Sequence, residues 1–96
     1  MKISQEKKNK ISEQILAYVF SQTPKLLFTS QIALELARDE EFIKGLLGDL
    51  KTKGLLVEVK KNSQGKDYLR RTRWKLSNKV YNYYKQDQQK SYIQEP

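Results

Sequence analysis

The sequence of 96 residues predicts an α+β domain that is mainly helical. Apolar residues recur with the period of an amphipathic helix through the first half of the chain, and from residue 55 the pattern becomes that of a β-hairpin. A further helical segment, rich in tyrosine, follows the hairpin. This length fits a single domain with one small core. We expect the core to span about residues 11–85, with both ends of the chain frayed.

The first predicted helix runs from Ser4 or Asn9 to Ser21. Its apolar residues recur every four positions, which is the spacing of one helix face: Ile11, Ile15 and Val19. Thr23-Pro24 ends this helix, because proline disfavours helical backbone in the residue before it. We expect a short extended segment to follow.

A second predicted helix covers about residues 31–38, capped by Thr29 or Ser30. A third begins after Asp39, whose carboxylate can accept a hydrogen bond from an unpaired backbone N–H. The apolar residues of this third helix also have helical spacing: Ile43, Leu46, Leu47 and Leu50. Gly54 is placed to end it, because glycine readily adopts the left-handed conformation that terminates helices.

The period changes after the third helix. Residues 55–61 alternate between apolar and charged side chains, which predicts a strand. A turn cluster occupies residues 62–66, and residues 67–76 form the predicted returning strand. Ser77 can cap a last helix over about residues 78–89.

The excess positive charge is concentrated in the hairpin region. The chain has 19 Lys and Arg against 11 Asp and Glu, a net charge of +8. Residues 51–75 contain nine basic and two acidic residues, whereas residues 35–49 contain two basic and five acidic ones. Such a cluster is typical of proteins with a polyanionic partner, most commonly nucleic acid. The alternative is a solvated surface that only maintains solubility.

Several classes of function are disfavoured by composition. The absence of Cys and His excludes disulfides, thiolate or serine–histidine catalysis and ordinary zinc sites, so we expect no metal and no cofactor. Asp39, Glu40 and Glu41 are adjacent, which does not suit acid–base work across a substrate. The longest apolar stretch, residues 15–20, is far below the roughly 20 residues that span a membrane. We therefore expect a non-enzymatic protein without membrane association, in the cytoplasm and associated with the nucleoid.

Two stretches carry a resemblance to a known family. One is Leu50-Lys51-Thr52-Lys53-Gly54-Leu55, and the other is Arg70-Arg71-Thr72-Arg73-Trp74-Lys75-Leu76-Ser77. In this order of elements they resemble the winged helix-turn-helix family, in which a similar Leu-x-x-Lys-Gly-Leu element ends the third helix and opens the wing. Small archaeal, viral and plasmid-borne regulators look similar. The resemblance implies a three-helix core, a β-hairpin wing and a C-terminal helix.

The resemblance also implies a sequence-specific double-stranded DNA-binding protein, a small transcriptional regulator that acts by occupying DNA. The third helix, residues 39–53, would enter the major groove, and the wing, residues 60–71, would lie on the phosphate backbone or in the minor groove. The candidate DNA-binding residues are Lys44, Gly45, Gly48, Lys51, Lys60, Lys61, Lys66, Arg70, Arg71 and Arg73. The alternative function is a protein-interaction module of a larger assembly, or an RNA binder.

Some residues of the third helix fit DNA binding less well. Glu40 and Glu41 would face phosphates unfavourably, and they also suit the positive end of the helix dipole. Gly45 and Gly48 each cost roughly 1 kcal/mol relative to alanine within a helix. They share a face, where DNA, a partner helix or the wing could approach closely; tight packing within the domain is the alternative. Trp74 is predicted to lie in the core under the hairpin.

A symmetric homodimer is also expected, because the terminal helices carry more apolar and aromatic surface than so small a domain can bury. The candidate interface residues are Ile11, Ile15, Tyr18, Val80, Tyr81 and Tyr84. A two-fold pair would read two half-sites about one helical turn of DNA apart.

Overall fold

The computed structural model describes residues 4–60 and 72–93, with side chains as far as Asp87. These residues form four helices and three short strands: α1 (Gln5–Gln22), β1 (Leu27–Phe28), α2 (Thr29–Leu36), α3 (Glu40–Thr52), β2 (Leu56–Val59), β3 (Arg73–Leu76) and α4 (Asn78–Ile93). The predicted α+β, mainly helical class and the predicted order of elements are confirmed. The predicted turn over residues 62–66 lies outside the described residues.

Helix α1 begins at the earlier of the two predicted starts. The Ser4 hydroxyl accepts a hydrogen bond of 3.2 Å from the backbone N–H of Lys7 and caps the helix. At the other end, the Thr23 hydroxyl donates to the Val19 carbonyl at 2.9 Å. The helix therefore stops just before Pro24, as the sequence predicts, and residues 5–10 belong to it.

Helix α2 begins differently from the prediction. Thr29 and Ser30 lie inside the helix, and Phe28 precedes it. The side-chain oxygen of Gln31 accepts a hydrogen bond of 2.8 Å from the backbone N–H of Phe28. The Thr29 hydroxyl instead accepts one of 2.9 Å from the indole N–H of Trp74. The predicted capping by Thr29 or Ser30 is wrong because the glutamine supplies the cap oxygen.

The turn between α2 and α3 is short and consists of residues 37–39. Ala37 ends α2 in the left-handed conformation, with φ 53°, although it carries a Cβ atom. Asp39 then caps α3 as predicted, since its carboxylate accepts a hydrogen bond of 3.1 Å from the backbone N–H of Phe42. Gly54 follows α3 with φ 78°, which confirms its predicted role as the left-handed stop.

The three strands form an antiparallel sheet in the order β1-β3-β2. Trp74, in the central strand β3, lies opposite Leu27 of β1 and Glu58 of β2. Its side chain is 4% exposed, which confirms its predicted place in the core. The sheet therefore connects the start of α2 to the strands of the wing.

One core joins the three-helix unit to the sheet. Its buried residues are Ile11, Ile15, Val19, Leu27, Ile32, Ala33, Ile43, Leu46, Leu47, Leu50, Leu56, Trp74, Leu76 and Val80. Among its described side chains, helix α4 supplies only Val80 to this set, and Tyr81 and Tyr84 pack against the edge of the core. No helix in the described ranges is both long and apolar enough to cross a membrane.

Three residues predicted for a dimer interface lie in this core instead. Ile11, Ile15 and Val80 are only 4%, 0% and 8% exposed. Their assignment to an interface is wrong, because side chains enclosed by the protein's own core offer no surface to a second copy. The other three predicted residues are partly buried at the edge of the core: Tyr18, Tyr81 and Tyr84.

Candidate nucleic-acid interface

Helix α3 presents an open face on the side opposite its buried stripe. At roughly 100° per residue, the residues on this outward side are Glu41, Gly45, Gly48 and Thr52. A Cβ atom added at Gly45 or Gly48 would meet no described atom within 4 Å beyond the helix's own backbone. The described residues therefore give no support to tight packing as the reason for these glycines. The Thr52 hydroxyl donates to the Gly48 carbonyl at 3.0 Å, which keeps its side chain close to the helix.

Two lysines follow the edge of the outward face that lies beside the sheet. Lys44 and Lys51 are about two helical turns apart, and both are exposed. Lys44 lines a pocket of about 380 Å³ between the start of α3, the start of α2 and the sheet. The residues that line it are Phe28, Thr29, Ser30, Glu40, Lys44, Glu58, Thr72 and Trp74. Lys44 therefore faces the same gap between helix and wing strand as Glu58.

Glu58 connects the other lysine of this edge to the wing. The Nζ atom of Lys51 donates a hydrogen bond of 2.8 Å to Glu58 Oε1. Lys60, just after β2, places its Nζ atom 3.6 Å from the same oxygen. The hydrogen bond from Lys51, with the charges of both lysines, holds the pKa of Glu58 below its ordinary value of 4.5, although burial acts in the opposite direction.

Glu58 has no role in the site that the sequence predicts. The alternation of β2 places Glu58 and Lys60 on the same strand face, which was the available sequence indication. The contact with Lys51 joins two different elements, so no local pattern could predict it. The structure thus brings together two predicted DNA-binding residues, Lys51 and Lys60, through a carboxylate that had no assigned role.

Acidic residues lie on the exposed sides of α3, and Glu40 lines the same pocket as Lys44. Glu40 and Glu41 are exposed in the first turn of α3, where they favour the helix dipole. Asp49, also exposed, lies on the flank away from the lysines. The positive charge of α3 is therefore confined to its edge beside the wing.

Arg73 differs from the other predicted contacts because it lies in the central strand. Its side chain is half-buried, and its Nε atom is shielded from solvent. Part of the guanidinium is thus enclosed by the protein, and its contact with DNA stays a prediction. The remaining predicted contacts lie outside the described residues: Lys61, Lys66, Arg70 and Arg71.

A cluster of aromatic rings joins the end of α1 to α4. The Phe20 ring stacks on Tyr84 with centroids 5.3 Å apart, and it lies 5.7 Å from the Tyr81 ring. Tyr83 meets the Tyr84 ring edge-on at 5.8 Å and is itself 66% exposed. Burial, reinforced by the negative charge of Glu13, raises the pKa of Tyr84 above its ordinary value of 10.0. Aromatic contacts therefore help to attach α4 to α1 and leave Tyr83 largely in solvent.

The chain is similar to solved structures of three winged-helix transcriptional regulators. The MepR–DNA complex of S. aureus matches with a TM-score of 0.66 and 22% identity, over 93% of this chain and 74% of that one. ZitR of Lactococcus lactis in its apo form matches with a TM-score of 0.67 and 18% identity, over 92% of this chain and 61% of that one. PcaV of Streptomyces coelicolor, solved with its natural ligand, matches with a TM-score of 0.57 and 18% identity. The match covers 77% of this chain and 49% of that one.

These likenesses show that the chain has the winged-helix fold that the sequence predicts. A MepR mutant from a clinical isolate of S. aureus is 23% identical, and this chain spans 50% of its length. The chain thus spans about half to three quarters of the length of the regulators it matches. No protein-family model and no curated protein sequence matches it.

Proposed function

We propose that this protein is a sequence-specific double-stranded DNA-binding protein, a small transcriptional regulator that acts by occupying DNA. The observation that carries the proposal is the outward face of α3, which is open at Gly45 and Gly48 and bordered by Lys44 and Lys51 on the side of the wing. The likeness to a regulator solved as a DNA complex supports it. A protein with this activity resides with the DNA, in the nucleoid-associated part of the cytoplasm.

Helix α3 would enter the major groove, which is about 12 Å wide and admits one helix. The glycines allow the helix backbone to approach the base edges closely. Lys44 can donate to the O6 and N7 atoms of guanine or to a phosphate, and Glu41 can accept from a cytosine amino group. Lys51, Lys60 and the wing would contact phosphates, which position the protein without reading sequence.

We also propose that two copies bind DNA together. The supporting surface is the tyrosine-rich side of α4, where Tyr83 is 66% exposed and Tyr84 is half-buried. Tyrosine suits such an interface because its ring is large and its hydroxyl tolerates a wet rim. A two-fold pair would match a palindromic site.

Binding of duplex DNA tests the first proposal. The dissociation constant for random-sequence duplex is measured at several salt concentrations, and a preferred sequence is selected from the same pool. Lys61→Ala and Arg70→Ala should each weaken binding to all duplexes and reduce the salt slope by about 0.9. Lys44→Ala should instead reduce the preference for the selected site, by about 1–3 kcal/mol at one base pair. Wing variants that leave both affinity and salt slope unchanged would contradict the proposal.

A protein-interaction module remains the second candidate, and a specific observation favours it. Glu40, Glu41 and Asp49 place three carboxylates on the exposed sides of α3, where a DNA-binding helix needs positive charge. If the wild-type protein binds no duplex even at low salt, this candidate replaces the first. Cross-linking from residue 45 should then capture a protein partner.

A further inference from the structure

Three charged side chains, one from α3 and two from the region of β2, meet at one point beside α3. Lys51 lies in the last turn of α3, and Lys60 lies just beyond β2. Both point their Nζ atoms at Glu58 Oε1, at 2.8 Å and 3.6 Å. The lysine side chains are 52% and 60% exposed, whereas that of Glu58 is 17% exposed. The carboxylate therefore lies behind two ammonium groups that face solvent.

We propose that Lys51 and Lys60 form one composite phosphate-binding position, in which Glu58 is an internal counter-anion that weakens the attraction for the DNA backbone. This proposal rests on the proposed DNA-binding function and adds that Glu58 lowers the affinity for DNA. The phosphate would bind on the solvent side of the two lysines, opposite Glu58.

The geometry allows a phosphate and the carboxylate to be held at the same time. Each lysine ammonium has three N–H donors, so Lys51 can bond Glu58 and still donate to a phosphate. With Glu58 ionised, the position has a net charge of +1 rather than +2. An approaching phosphate is therefore attracted less strongly than two free lysines would attract it.

Folding stability accounts for only a small part of this arrangement. Ion pairs of lysines that are more than half exposed, as Lys51 and Lys60 are, typically contribute up to about 1 kcal/mol. Phosphate attraction, by contrast, supplies nearly all of non-specific DNA binding. A counter-anion here lowers this sequence-independent part of the affinity, for unrelated sites and for a preferred site alike.

The test variant is Glu58→Gln in the full chain. Glutamine keeps the shape of the side chain and one oxygen that can accept from Lys51, and it removes the negative charge. The matched control is Glu35→Gln, because Glu35 is exposed on α2 and its replacement changes the net charge by the same amount. The dissociation constant for random-sequence duplex is measured by fluorescence anisotropy at several salt concentrations.

We expect Glu58→Gln to tighten binding about three- to tenfold at low salt, because the same phosphate is then held by two lysines without an opposing carboxylate. Glu35→Gln should change the affinity less than about twofold. Binding by Glu58→Gln that is no tighter than that of the control would overturn the proposal. If neither the wild-type protein nor any variant binds duplex, the DNA-binding function itself is wrong and this inference fails with it.

A second measurement tests whether Lys51 and Lys60 bind the same phosphate, and it does not depend on Glu58→Gln. Because both lysines serve one phosphate, Lys51→Ala, Lys60→Ala and the double variant should each reduce the salt slope by about the same 0.9. A reduction twice as large in the double variant would show two separate phosphate contacts and overturn the composite position.

Discussion

The indole N–H of Trp74 donates a hydrogen bond of 2.9 Å to the hydroxyl of Thr29, which is 45 residues away in the chain. This bond joins the central strand of the sheet to the first turn of α2. Both residues also line the pocket beside α3. The bond therefore fixes the sheet, and with it the strands of the wing, against the helix-turn-helix unit.

Thr29→Val should weaken this junction. The substitution keeps the shape of the side chain and leaves a buried indole N–H without its acceptor, so we expect the free energy of unfolding to fall by about 1–2 kcal/mol. Urea denaturation followed by the fluorescence of Trp74, the single tryptophan, measures the change. Thr29→Ser keeps the hydroxyl and serves as the control. Equal stability of the two variants would show that the hydrogen bond contributes nothing.

The glycines of α3 should respond oppositely in stability and in binding. Gly45→Gln and Gly48→Gln place side chains where no described atom lies within 4 Å, so each should raise the free energy of unfolding by about 0.5–1 kcal/mol through helix propensity. The same side chains should abolish duplex binding, because they prevent close approach of the helix to the bases. Denaturation and anisotropy measure the two effects.

Gly54→Ala is the control for these glycine variants. Gly54 has φ 78°, and an L-residue in that conformation costs roughly 1–2 kcal/mol. This variant should therefore lose stability, unlike the two α3 variants. Duplex binding retained by Gly45→Gln and Gly48→Gln would show that DNA does not approach the outward face of α3.

Acid should destabilise the wild-type protein more than Glu58→Gln. The pKa of Glu58 is lower in the folded state than its ordinary value of 4.5. Its carboxylate therefore stabilises the fold above pH 4.5, and this contribution is lost as the pH falls through the pKa of the folded state. Glutamine does not titrate, and its variant lacks that part of the pH dependence. Urea midpoints at neutral pH and at about pH 3 measure the difference. Parallel loss of stability in both proteins would contradict it.

The proposed dimer should depend on Tyr83. Sedimentation of the wild-type protein at micromolar concentration should give about twice the 11.4 kDa mass of one chain. Tyr83→Lys should shift the protein toward monomer, because it places a charge in the proposed apolar contact. Leu34→Lys is the matched control, since Leu34 is 83% exposed on α2, away from α4. A wild-type protein that remains monomeric at high concentration would remove both the dimer and the palindromic site.

Local interactions made much of the helix-turn-helix predictable from sequence. Asp39 and Gly54 delimit α3 through bonds and backbone angles within a few residues of themselves. The predicted cap of α2 is wrong because Gln31 accepts from the Phe28 N–H, while the Thr29 hydroxyl bonds to a residue far along the chain. Sequence spacing alone could not supply that partner.

The candidate site was predicted less completely than the fold. Periodicity showed that α1 has an apolar face, but it could not show whether the domain's own core or a second copy covers Ile11 and Ile15. Lys51 and Lys60 were identified by charge alone. Their shared contact with Glu58 arises only when α3 packs beside β2.

The left-handed conformation of Ala37 has a consequence for how this chain can evolve. Position 37 determines the angle at which α3 leaves α2, and its φ of 53° disfavours β-branched side chains. In a saturation library selected for DNA binding, glycine, asparagine and aspartate should be enriched there, and valine, isoleucine and threonine should be depleted. Selection would then act on a residue outside the proposed DNA contacts, because it sets the orientation of the helix that we propose to make them.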